Sequence, residues 1–125
     1  MAPQMVYPRI AGARFGQVTV GDEVHAHDVV IRASGKVKKR KKSLAKAAYG
    51  TSHRIGPREL EKVCKGRPER LIIGTGQSGA ATLTPEGAAY LRERAIAVTA
   101  LPTPEAIEAF NRAPGPKAAL IHVTC

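Results

Sequence analysis

The strongest constraint on the fold is a repeated helix-start signal. Thr84-Pro85-Glu86 and Thr103-Pro104-Glu105 each follow a short apolar segment. Each position has a physical role: the threonine hydroxyl accepts an orphan N–H, the proline ring presets φ, and the acid meets the positive end of the helix dipole. Around them lie three strand-length segments, Leu71-Ile72-Ile73, Ile96 to Leu101 and Ala118 to Thr124. Strand, helix, strand, helix, strand with connections this short requires right-handed crossovers and largely parallel pairing. The helices are expected from Thr84 to about Arg94, and from Thr103 to the Ala113-Pro114-Gly115-Pro116 stop.

The first half of the chain reads differently. Phe15, Val18 and Val20 lie near alternation between Arg14 and Val20, and Gly21-Asp22 before Glu23-Val24 fits a II′ hairpin turn. Val29-Val30-Ile31 is a third strand, turned by Ala33-Ser34-Gly35 into a fourth that carries the basic run Lys36 to Lys42. Lysines on such a strand also guard an exposed edge. Ser43 to Ile55 has no clear period and reads as a loop or short helix; Pro57 opens a short helix over Arg58 to Lys65, which Gly66 ends. The result is a mixed-sheet α/β domain with antiparallel hairpins added to a parallel core.

Length and charge narrow the function classes. With 125 residues the chain is one domain, 1–125, since domains cluster at roughly 100–150 residues. Cys64 and Cys125 are too few and too far apart for a secreted disulfide framework. The longest apolar run falls far short of the ~20 residues that span a bilayer, and Met1 to Gly12 lacks a signal-peptide apolar stretch. A cytoplasmic protein without membrane attachment is the expectation. Residues 1–66 hold fourteen Lys/Arg against five Asp/Glu, whereas 67–125 hold six against five, so the +10 net charge belongs to the first half. That excess fits an acidic partner or a solvated, self-repelling edge.

Gly74-Thr75-Gly76-Gln77-Ser78-Gly79 spells GxGxxG after a strand, yet its surroundings are wrong for a dinucleotide site. Ala80 to Leu83 separate it from the helix cap, and no acid ends the next strand to hold a ribose. No Lys-Ser/Thr pair follows Gly79, which excludes a Walker loop. No cofactor is therefore expected. His25, His27, His122 and Cys125 are metal-capable but scattered, with no CxxC knuckle, so no metal is expected either. Cys125 and His122 do not make a nucleophile and base on the expected strand, and no GxSxG elbow occurs, so no catalytic residue is assigned.

Phe15-Gly16, Asp28 to Ile31, His53, Ile73 to Gly76, Pro102-Thr103, Ala106, Asn111 and the closing His122-Val123-Thr124-Cys125 together carry a resemblance. The chain resembles the small domain-of-unknown-function family that includes archaeal and bacterial stand-alone proteins, the vertebrate adipogenesis-associated protein and a mitochondrial complex I assembly factor. The resemblance implies a three-layer α/β fold and no established reaction; the assembly-factor branch works by binding other proteins. Those relatives carry tryptophans around the third and fourth strands, where this chain has Arg32 and Arg40.

The leading expectation is a non-enzymatic binding domain, assembly-factor-like, for a protein partner or a small anionic ligand at the Gly74 to Gly79 turn. Its backbone N–H groups and the Thr75, Gln77 and Ser78 side chains would meet the ligand. On the resemblance, Asp28, Arg40 and His53 are the polar groups expected near it. A small-molecule enzyme using the same crevice is the alternative, to be marked by a strongly perturbed Asp28 or His53 in an enclosed pocket. Weak, sequence-insensitive nucleic-acid binding through Lys36 to Lys42 is the third reading.

Overall fold

The computed structural model describes residues 6–125; residues 1–5, part of the N-terminal segment read above for a signal peptide, lie outside the described residues. In chain order the elements are β1 (Ile10–Arg14), β2 (Gln17–Val20), β3 (Glu23–His25), β4 (Val29–Ile31), β5 (Val37–Lys39), α1 (Lys42–Tyr49), β6 (Arg54–Ile55), α2 (Pro57–Val63), β7 (Arg70–Gly74), β8 (Thr82–Leu83), α3 (Pro85–Glu93), β9 (Ala97–Leu101), α4 (Thr103–Arg112) and β10 (Lys117–Ile121).

The central sheet has the order β5-β4-β10-β7-β9. β10, β7 and β9 are parallel, as the two crossovers require, and β4 and β5 add antiparallel strands at one edge. β1, β2 and β3 form a separate antiparallel sheet. Strand alternation divides the core into two halves. Val29, Ile31, Ile72, Ala119 and Ile121 face Phe110 and Ala106 of α4 and Ile10, Val18 and Val20 of the N-terminal sheet. Val30, Leu71, Ile73, Ala118 and Leu120 face Leu60 and Val63 of α2 and Leu91 of α3. The domain is thus three-layered, with the central sheet in the middle.

Two local features depart from the sequence expectations, and the segment read as a loop or short helix holds a short helix. Arg14 to Val20 is not one strand: Gly16, at φ +86°, turns the chain between β1 and β2. β1 contains glycine and alanine where alternation would be legible, and it is tied down from afar by Asn111, whose side chain donates to Ile10 O and accepts from Ile10 N, both at 2.9 Å. The segment without clear period contains α1, which lacks a side-chain cap and ends at Gly50 in the left-handed conformation. The twin Thr-Pro-Glu signals also behave differently. Thr84 Oγ1 accepts from Gly87 N at 3.0 Å, a true N-cap. Thr103 is already inside α4, behind Pro102, and its hydroxyl serves another part of the chain.

Candidate functional site

Asp28 precedes β4 and is buried, a costly place for a carboxylate unless its oxygens are paired. Its Oδ1 accepts from Val123 N at 2.9 Å, and its Oδ2 accepts from His122 Nδ1 at 2.7 Å and Arg40 Nη1 at 3.0 Å. Burial on its own would raise the carboxyl pKa; the bonds from His122 and Val123, the His122 charge and Arg40 outweigh it and hold the group at about 2. Arg40, the residue after β5, is equally enclosed. Its Nε and Nη2 grip Glu59 of α2 at 2.5 and 3.0 Å, and Nη2 also donates to Ser52 O at 2.7 Å. Burial would lower the guanidinium pKa, but Glu59 first and Asp28 second hold it above its ordinary value. Two buried carboxylates thus share one guanidinium, with the half-exposed Lys42 ammonium 3.8 Å from Asp28 as a second cation.

Beyond Asp28 the network reaches the ends of the parallel strands. His122 Nε2 lies 3.2 Å from Thr124 Oγ1, and the His53 ring stands edge-on to the His122 ring at 5.3 Å. Asp28, Arg40 and His53 are therefore brought together by His122 and by the Ser52 carbonyl. His122 and Thr124, noted in sequence only as metal-capable or as part of the closing family motif, and Glu59, not singled out at all, complete the group. Glu59 reads as one more charge on a short polar helix, and the Asp28 pairing crosses 94 residues.

The glycine turn touches this cluster through its backbone. Gly76 sits at φ +106°, and a Cβ there would come within 2.2 Å of the Cys125 carbonyl carbon and 2.8 Å of His122 Cδ2. Thr103 Oγ1 accepts from Gly76 N at 3.0 Å and donates to His122 O at 2.6 Å. Thr75 N donates to Leu101 O, Gln77 N to Thr124 O, Ser78 N to Cys125 O and Gly79 N to Gly76 O. The donors expected to face a ligand are thus engaged by the chain itself, and glycine is required by the close approach of residues 122–125. Gly74 closes β7, Thr75 is buried, and the Ser78 side chain is exposed. α3 begins at Pro85, well past Gly79, so the turn does not open directly into a helix N-terminus as a dinucleotide-binding turn does.

The other sequence candidates are dispersed. His25 and His27 meet edge-on at 5.5 Å, far along the chain from the buried His122, while Cys125 is exposed and Cys64 is buried, its thiol pushed by burial to about 11. Among the described residues no group of three or more His, Cys, Asp or Glu side chains is placed to hold a metal, and no helix is long and apolar enough to cross a membrane. A buried cation that sequence did not flag, Lys117, donates to Phe110 O and Ala113 O at the end of α4 and lies over the Phe110 ring at 4.2 Å. It caps a helix C-terminus.

The basic run opens a second feature on the far side of Glu59. In the β4–β5 pair Lys38 lies opposite Val30, so alternation sets Arg32, Lys38 and Arg40 on the face that meets α2. Arg40 is drawn inward by Glu59. Arg32, Lys38 and Lys41 remain around a cleft of about 200 Å³, with Lys62 and Lys65 from the α2 side and Val30 and Val63 in its walls. Lys36 foremost, then Arg32, with Lys65 and Lys41, lower the Lys38 ammonium pKa below the ordinary lysine value. Arg32 Nε is buried and finds no acceptor among the described residues.

A family model described as protein of unknown function (DUF498/DUF598) matches residues 10–118. A conserved hypothetical protein of Pyrococcus horikoshii is 35% identical, with a TM-score of 0.87 over 94% of this chain and 99% of that one. The solved protein MT938 is 36% identical, with a TM-score of 0.81 over the same shares. A Bordetella pertussis protein solved as an Mth938-like domain is 16% identical and shares the fold, at TM-score 0.61 over 98% of this chain and 90% of that one. With the model matching most of the chain, this protein belongs to the DUF498/DUF598 family of unknown function.

Proposed function

We propose that the protein is a non-enzymatic binding domain for an anionic ligand or acidic partner, and that the contact lies in the basic cleft between β5 and α2. The observation that carries this reading is the convergence of Arg32, Lys38, Lys41, Lys62 and Lys65 on one hollow whose acid, Glu59, already has both carboxylate oxygens on Arg40. Like charges held this close oppose one another, and an anion between them relieves the opposition. The buried network supports the cleft: Asp28 and Glu59 fix Arg40, which aligns β5 against α2. The glycine turn is on this reading a fastening of the C-terminal segment, and the exposed Ser78 side chain remains as a contact for a partner at that edge.

Retention on phosphocellulose tests the cleft. Lys38→Glu with Lys62→Glu should elute at far lower salt than wild type. Arg92→Glu with Arg112→Glu, carrying the same change in net charge outside the cleft, should elute well above it. Equal losses for the two double variants would mean that net charge alone governs binding.

A further inference from the structure

We propose that the cleft recognises a compact oligophosphate, a chain of two or three linked phosphoryl groups; this rests on the reading of the cleft as an anion site. Three features of the cleft select that class. Its cations come from separate segments, the β4–β5 connection, β5 and the residue that follows Arg40, and α2 with its C-terminal turn, and they surround a hollow instead of lining a track. A hollow of about 200 Å³ has the volume of roughly six or seven waters. That accommodates a short phosphoryl chain. Among the described residues no aromatic side chain lines it, so it offers no stacking platform for a base.

Charge density separates phosphate from carboxylate. A phosphate brings close to two negative charges and three acceptor oxygens, whereas a carboxylate of similar bulk brings one charge and two oxygens. The cleft presents ammonium groups, which act as mobile point charges, together with one guanidinium, whose planar fork matches adjacent phosphate oxygens. Arg32, which lines the cleft, supplies that guanidinium. Val30 and Val63 keep water from part of the wall, which strengthens each ion contact.

Calorimetric titration at fixed ionic strength, with the whole chain, tests the inference. The probes are inorganic tripolyphosphate, orthophosphate, adenosine triphosphate, a glutamate hexapeptide and a single-stranded oligonucleotide. Tripolyphosphate should bind tightest or equal to adenosine triphosphate, and well above orthophosphate. Lys38→Ala and Lys62→Ala, both at exposed positions, should each weaken it by about tenfold or more. Arg32→Lys should weaken it too, because the fork is lost, and Arg112→Ala should leave it unchanged. If the peptide or the oligonucleotide binds tighter than tripolyphosphate and is lost in Lys38→Ala, the anion-binding reading stands and the oligophosphate class falls. Adenosine triphosphate binding tenfold tighter than tripolyphosphate would overturn recognition of the phosphoryl chain alone. If no probe responds to Lys38→Ala or Lys62→Ala, both readings fall.

Discussion

Arg40 holds Glu59 through two hydrogen bonds, Nε to Oε2 at 2.5 Å and Nη2 to Oε1 at 3.0 Å, with both side chains removed from solvent. A basic residue inside a run of lysines is thereby the centre of the buried structure, while its neighbours Lys38 and Lys41 stay at the surface. This one pairing separates a structural cation from the surface cations around it.

Replacing Arg40 by Met should therefore unfold the domain more readily than replacing any neighbouring lysine. The variant leaves Asp28 and Glu59 buried without their shared cation, at a cost of about 3–5 kcal/mol. Urea denaturation should show a loss of that size for Arg40→Met and less than about 0.5 kcal/mol for Lys38→Ala. A loss under 1 kcal/mol for Arg40→Met would remove the network from the fold's foundations.

Asp28 sets an acid limit. Its carboxyl falls from an ordinary 3.8 to about 2 in the folded chain, so the unfolded chain takes up the proton first. Its contribution, about 2 kcal/mol, is fully present above the unfolded value and is lost as pH falls from 3.8 toward 2. Unfolding free energies measured between pH 6 and pH 2 should fall steeply in that lower window. Asp28→Asn should be less stable at neutral pH and flatter below pH 4; an unchanged slope would show that another group governs the acid transition.

Thr103 is expected to matter for its hydroxyl and not as a helix cap. Thr103→Val strands the buried Gly76 N–H and one hydrogen bond to His122 O, for about 2–4 kcal/mol in total, whereas Thr103→Ser keeps both. Equal stabilities of the two variants by thermal unfolding would contradict the assignment.

Two left-handed positions give opposite outcomes. Ala95 ends α3 at φ +56°, where Ile96 N donates to Leu91 O, a position that favours glycine. Ala95→Gly should stabilise the domain by about 0.5–1 kcal/mol. Gly76→Ala, whose new methyl meets the backbone of Cys125 and the ring of His122, should destabilise it by more than about 2 kcal/mol. Chemical denaturation of both variants checks the pair.

What was legible in the sequence followed from local chemistry. The apolar runs and the Thr84 cap placed β7, α3, β9, α4 and β10, because each segment carries its own period or terminus signal. Thr103 shows the limit of such signals: the same three residues as at Thr84 yield a different role once Gly76 and His122 compete for the hydroxyl. Asp28, Arg40 and His53 came from family resemblance, and they do assemble, but Glu59 and His122 join them across 19 and 94 residues of chain that no local pattern links. The basic run was visible at once. That its alternate members face α2 and surround a hollow depended on the β4–β5 register and on where α2 packs.

The most direct test of anion binding in the cleft is a nitrogen-15 amide map of the protein titrated with inorganic tripolyphosphate at physiological salt. The shifts should concentrate on Arg32, Lys38, Lys41, Lys62 and Lys65, saturate with one equivalent, and vanish in Lys38→Glu with Lys62→Glu. Shifts centred instead on Gly74 to Gly79 and His53, or spread over every lysine without saturating, would contradict a basic cleft built to hold an anion.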